Sequence, residues 1–302
     1  MSRLLHAAGL VPATADVDEV GDAYNPRGLW EARSLVALNE KLLAAVGARW
    51  DSAPFLPPTW WRELEVDAWC GQIESLAREA GRDGDWAWKD PRLAVTLPLY
   101  LRALTESSCI VWVVRHPVAV ARSLQRRNHF PLPLGLAIWA LSNAHVAIGL
   151  EEFAVPAVAV HYEELVADPD RAFRSLIDRL KEMGITRLGS SVQASQHVDP
   201  GLQHETGESG SAGESALIEG LCRSVYTMAC GVTTGEDARE VLRTIARYMV
   251  AERRELAAAF AVEALLREAN RLRPLAVGYE RLAGHPLVRA ARAIKRLVRW
   301  RK

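Results

Sequence analysis

Net charge is the first thing this chain lacks: its 302 residues set 37 lysines and arginines against 37 aspartates and glutamates. That balance removes the global field that would point to nucleic acid or an acidic polymer. Paired cysteines are missing as well. Cys70, Cys109, Cys222 and Cys230 form no C-x-x-C spacing, which argues against a zinc site and for reduced thiols in a cytosolic protein. No uninterrupted apolar run reaches the roughly 18–20 residues of a membrane span. Internal repeats and long low-complexity tracts are absent. The opening "MSRLLHAAGLVPATA" has the outline of a signal peptide, but its apolar part is short and broken by His6. It reads instead as the tail of a helix ended by Gly9.

What remains is an ordinary soluble composition, 49% apolar and 25% charged. "IVWVV" at 110–114 and "VPAVAV" at 155–160 are apolar on both faces, as strands of a buried parallel sheet are. "WAW" before Lys89 reads as a shorter strand. Between them run helical patterns. Leu35, Leu38, Leu42 and Val46 share one side of a helix that Gly47 stops, and helices are expected after Pro91, over 118–127 and over 134–150. Asp168, Pro169 and Gly184 supply an N-cap, an N1 proline and a C-terminal stop for one more. Strands alternating with helices predict an α/β fold with a parallel sheet covered on both faces. "HETGESGSAGES" marks a boundary, and the chain beyond it reads helical.

Ligands of open parallel sheets sit outside the carboxyl ends of the strands. Three polar clusters fall at such ends: "KDPR" after Trp88, "RHP" after Val114 and "HYEEL" after Val160. Arg115, at a strand end beside a helix N-terminus, suits a phosphate. Ser123 stands eight residues later. On spacing alone the pair is either a phosphate fork or a strand-end ion pair with an unrelated helix serine.

"VVRHPVAVARSL", "VHYEELVADP", "WKDPRLAVTLPLYLRAL" and "NPRGLWEARSLVALNEKLLAAVG", in their order along the chain, resemble bacterial-type sulfotransferases that use 3′-phosphoadenosine 5′-phosphosulfate (PAPS). The resemblance runs from Ser2 to about His204. It implies a P-loop NTPase-like three-layer sandwich with a central parallel sheet and a helical C-terminal region. It also implies sulfuryl transfer from PAPS to a hydroxyl or amine, with 3′,5′-adenosine bisphosphate (PAP) as product and no metal. By the same resemblance Arg115 and Ser123 hold the 3′-phosphate, Tyr162 lies against the adenine, Lys89 stabilises charge and Glu31 is the base. Read from position alone, Glu31 is equally a first-turn carboxylate favoured by the helix dipole. Asp90 reads as a cap for the helix at Pro91 or a partner of Arg92. His116 reads as structural, and His204 resembles a residue near the acceptor.

One departure stands out. The family's first strand and Gly-rich loop of the type G-x-x-R-S-G-T-S are not in this sequence, and "SRLLHAAGL" resembles the helix that follows them. The expectation is a start placed downstream or a truncated copy. The alternatives are a non-catalytic nucleotide-binding or membrane-surface module, and a kinase of the same fold, which the missing Walker lysine disfavours.

Seven tryptophans fall within residues 30–88, and of these the Trp60–Trp61 pair reads as a candidate acceptor surface. In the last helix an apolar face backs onto Arg289, Arg292, Lys295, Arg296, Arg299 and Lys302, so residues 285–302 either lie on an anionic membrane or pack on the core. The full expectation is a nucleotide-binding α/β core over 1–205, a linker or cap loop over 206–216 and a helical region over 217–302. The acceptor would be a glycan, lipid, peptide or small metabolite rather than nucleic acid. The location would be cytoplasmic, extending to the inner membrane face.

Overall fold

A computed structural model describes residues 1–12, 16–17, 28–52, 56–81, 85–104, 108–189, 193–198 and 216–251. All lie in the first of two compact units, Met1–Ala257. His204, residues 206–215 and the basic segment 285–302 fall outside the described residues.

The elements follow the sequence pattern closely. Helix α1 (Ser2–Ala7) leads to strand β1 (Val11–Pro12). Then come α2 (Arg33–Ala45), α3 (Val66–Ala80), β2 (Trp86–Ala87) and α4 (Leu93–Leu104). Strand β3 (Ile110–Val114), α5 (Pro117–Asn128), α6 (Leu132–Glu152) and β4 (Ala157–His161) form the centre. Helices α7 (Tyr162–Ala167), α8 (Pro169–Glu182), α9 (Ala216–Ala229) and α10 (Arg239–Ala251) follow. The expected caps hold: the Asp168 carboxylate accepts from the Arg171 amide at 3.2 Å, and Gly184 takes φ 94° past the end of α8.

The expected three-layer sandwich is corrected. Among the described residues there is no continuous central sheet. Strands β1 and β2 form one parallel pair, β3 and β4 form another, and the body is mainly α-helical. The physical reason lies in α6. This 21-residue helix is apolar nearly all round, and α4, α5, α9 and α10 all pack on it. A helix with no polar face belongs in a core, so the helices assemble around α6 instead of around a wide sheet. By length and composition α6 could also cross a membrane, but 67% of its apolar window is buried inside the molecule.

Two apolar clusters flank this centre. One joins Leu4 and Leu5 of α1, Val158 and Val160 of β4, and Phe173, Leu176, Ile177 and Leu180 of α8. The other joins Leu35, Leu38 and Leu42 of α2, Ile73 of α3 and Leu99 of α4 with Trp60 and Trp61. Those two tryptophans are 4% and 6% exposed. The acceptor-surface reading of the pair is therefore corrected to core.

The second edge of β4 is closed from far along the chain. The Ala159 amide donates to the Glu236 carbonyl, and the Gly235 and Ala238 amides donate back to the Ala159 and Ala157 carbonyls, at 2.9–3.0 Å. Gly235 sits at φ 91°, and a Cβ there would lie 2.1 Å from Ser175 Oγ. Only glycine fits that approach.

Close approach also fixes where α5 crosses α6. A Cβ added to Gly135 would stand 2.8 Å from the Ala121 Cα. Replacing a helical glycine by alanine normally favours the helix by about 1 kcal/mol, whereas overpacking costs about 1–3 kcal/mol. Backbone cannot yield as a side chain does, so overpacking wins. Gly135→Ala is expected to lower stability by about 1–2 kcal/mol, measured by urea unfolding; a stabilised variant would show that the two helices are free to part.

Candidate functional site

The best-built polar cluster begins from a buried carboxylate. Asp90 follows β2 and its side chain is 0% exposed. One oxygen accepts from the Arg92 amide and from Arg92 Nη1, both at 3.0 Å. The other accepts from Asn39 Nδ2 at 2.8 Å, and Asn39 Oδ1 accepts from the Thr96 hydroxyl at 2.7 Å. A carboxylate removed from water survives only when its lone pairs are met in this way. Both sequence readings of Asp90, as a cap at Pro91 and as the partner of Arg92, hold together.

Arg92 carries the network outward. Its Nη2 donates to Glu40 at 3.0 Å, and its Nη1 lies 3.9 Å from Glu31 Oε2. Burial works against the Arg92 charge, but Asp90, Glu40 and Glu31 outweigh it, and its pKa is held above the ordinary value. Lys89 completes the group. Its ammonium donates to Glu31 Oε1 at 2.5 Å and to the Leu29 carbonyl at 3.1 Å. Glu31 therefore stands between two cations, 12% exposed, while Lys89 is 39% exposed.

The backbone before Glu31 is unusual. Gly28 has φ 80° and Trp30 has φ 57°. A bulky residue in the left-handed region costs of the order of 1–3 kcal/mol, and such strain concentrates at functional positions. The Trp30 ring rests 5.4 Å from the His6 ring. Just beyond, the chain is pinned: the Ser34 amide and hydroxyl both donate to the Asp16 carboxylate, and Ala32 bridges to Val17.

Three aromatic rings pack together between β2 and α4. Trp86 and Trp88 lie 4.5 Å apart, and Trp88 meets Tyr100 edge-on at 5.6 Å. The Tyr100 hydroxyl is buried without a hydrogen-bond partner among the described residues, as is Trp88 Nε1. Burial, and then the Asp90 charge, push the Tyr100 hydroxyl far above the usual phenol range.

Arg115, Ser123 and Tyr162 belong to a second cluster. The Arg115 guanidinium lies over the Tyr162 ring, 4.3 Å from its centroid, so the ends of β3 and β4 are clasped by a cation–π contact. The Arg115 carbonyl accepts from Trp139 Nε1 of α6 at 2.9 Å. Ser123 lies half-buried in the second turn of α5. Nearby, the His116 amide donates to Glu163 at 2.8 Å, and the His116 ring meets the Tyr226 ring edge-on at 4.9 Å.

The structure brings Glu31 and Lys89 together in the first cluster and Arg115 and Tyr162 in the second, with Ser123 on α5, and it adds Asn39, Glu40, Thr96 and Glu163, which the sequence did not single out. Asn39 left one legible trace: a polar residue inside the Leu35–Leu38–Leu42 stripe of α2.

No family model, curated protein or solved structure matches this chain. With a mainly helical body and two separate strand pairs, the assignment to the PAPS-dependent sulfotransferases is corrected. The sulfuryl-transfer activity, the PAPS donor, the PAP product and the hydroxyl or amine acceptor fall with it, and so do the nucleotide-binding and membrane-surface modules derived from that family. A phosphate-wrapping Gly-rich loop is absent from the described residues.

Two outcomes follow from these contacts. Asn39→Ala strands an Asp90 oxygen in the interior and is expected to cost about 2–4 kcal/mol. Glu40→Ala removes only an exposed partner and should cost less than about 1 kcal/mol; equal losses in urea unfolding would refute the distinction. The second outcome concerns His116. Burial, partly opposed by Glu163, holds its pKa below the ordinary 6.5. The unfolded chain then binds the proton more tightly, so His116 lends stability at higher pH and loses it as the pH falls from about 6.5 toward the folded value. Melting temperature should drop less on acidification through that window in His116→Gln than in the wild type.

Proposed function

We propose that this protein binds a small oxyanion-bearing molecule at the Lys89–Arg92 cation pair. The carrying observation is the carboxylate already there: Glu31 spans the two cations, 2.5 Å from Lys89 and 3.9 Å from Arg92. A position that accepts a carboxylate in this way has the charge and donor geometry for a free carboxylate, phosphate or sulfate.

The chemistry of the two cations supports the reading. Arginine offers a planar fork and lysine a compact point charge, a complementary pair for an anion with several oxygens. Arg92 is aimed by a buried carboxylate, so little ordering is left to be done on binding.

Arg115, stacked on Tyr162 with Ser123 on the following helix, is the second cationic station of this reading.

Calorimetric titration of the full chain with inorganic phosphate tests the reading. The wild type should bind, with affinity falling as salt is added. Lys89→Met should weaken binding at least about tenfold, the scale of one lost charge-assisted contact. Identical affinity in that variant would remove Lys89, and the proposed site with it.

A further inference from the structure

We infer that Thr96 and Asn39 are positioning residues for this site: neither meets the oxyanion, and together they fix the Arg92 guanidinium, which does. The inference rests on the reading of the Lys89–Arg92 pair as an oxyanion site and adds what sets its geometry.

The contacts around Arg92 close on themselves. Its amide and its Nη1 both donate to Asp90 Oδ1 at 3.0 Å. The other Asp90 oxygen accepts from Asn39 Nδ2 at 2.8 Å, and Asn39 Oδ1 accepts from the Thr96 hydroxyl at 2.7 Å. That hydroxyl also stands 3.2 Å from the Arg92 carbonyl, four residues back along the chain. The ring therefore begins and ends on Arg92, and it holds the amide, the carbonyl and the side chain through three other residues. Asn39 and Thr96 are both 0% exposed, so bulk water does not compete for the link between them.

Each link has one workable direction. A carboxylate only accepts, so the Asn39 amide turns Nδ2 toward Asp90; reversed, its Oδ1 would face a carboxylate oxygen. With Nδ2 so placed, Oδ1 needs a donor, and the Thr96 hydroxyl has a single hydrogen to give. The Arg92 carbonyl is a rival acceptor for that hydrogen, and the shorter contact goes to Asn39. Thr96 thus holds the amide, the amide holds Asp90, and Asp90 aims Arg92.

The fixed guanidinium keeps donors for a ligand. Arginine carries four N–H bonds on its two terminal nitrogens, and Asp90 and Glu40 each take one here. Those two contacts stay in place when an oxyanion is met and hold the plane in which the remaining donors lie. Glu31 Oε2, 3.9 Å from Nη1, marks the side on which an oxygen approaches. Lys89 has no such frame: its ammonium meets Glu31 and the Leu29 carbonyl and is 39% exposed. Lys89 supplies charge and Arg92 supplies direction, so loosening the ring touches the Arg92 share alone.

Phosphate calorimetry on the full chain, run well below the melting temperature of each variant, tests this. Thr96→Val keeps the shape and removes the hydroxyl, and it should weaken binding about five- to tenfold, the scale of one misaligned charge-assisted contact. Thr96→Ser restores the donor and should bind as the wild type does. Thr96→Ala, which lacks the hydroxyl and is a better helix former, serves if Thr96→Val does not fold. The loss should persist in the Lys89→Met background and vanish in the Arg92→Lys background, a split that a general loss of stability would not produce. If the wild type binds phosphate and Thr96→Val binds equally well, or its loss is undiminished beside Arg92→Lys, the positioning role is overturned while the oxyanion site stands. If the wild type takes no phosphate, both ideas fail together.

Discussion

A single buried carboxylate sets the terms for the charged end of this molecule. The Asp90 side chain is fully buried, and a buried carboxyl group needs its oxygens met by hydrogen bonds. Meeting that demand draws in Asn39 from α2, itself held by Thr96 of α4, and Arg92 from the turn that leads into α4. Three segments are thereby fixed with respect to one another before any ligand is considered. The direction in which Arg92 presents its remaining donors follows from that fixation.

A division of labour results. The interior contacts are short, enclosed and geometrically demanding, whereas Glu40 and Lys89 are substantially open to solvent. Rigidity lies below and adaptability above. The Arg115–Tyr162 stack repeats the pattern at the other strand pair: the β3–β4 ladder and the Trp139 contact hold the backbone while the guanidinium lies on an aromatic face.

Local chemistry was legible in the amino-acid sequence, and long-range assembly was not. The strand Ile110–Val114, the Asp168 cap of α8 and the Asp90–Arg92 pair are encoded within a few residues and form as expected, except that Val113 is 46% exposed where the pattern indicates burial on both faces. The Asn39–Asp90 bond joins residues 51 apart, and Asp16 caps α2 from 18 residues upstream. No periodicity announces such meetings. The sheet is narrower than expected for a related reason: an apolar run of strand length says neither how many neighbours a strand hydrogen-bonds nor that both its faces are covered, and Val113 is exposed. An aromatic pair in a Pro-rich stretch suggested a binding surface, but Trp60 and Trp61 instead fill the space beside α2 and α4, because burying large rings gains more than exposing them.

The edge of β4 carries a consequence for the order in which the protein is made. Among the described residues, Ala159 and Ala157 find their outer hydrogen-bond partners in Gly235, Glu236 and Ala238. On a ribosome the strand emerges long before the segment that covers it, so a nascent chain holds an open strand edge until α9 and the following turn have been synthesised. Contacts of such sequence separation are slow to form. Chain collapse around α6 can begin early, but the molecule cannot close until its latest described elements arrive, and a translational pause between the two would prolong its most aggregation-prone state.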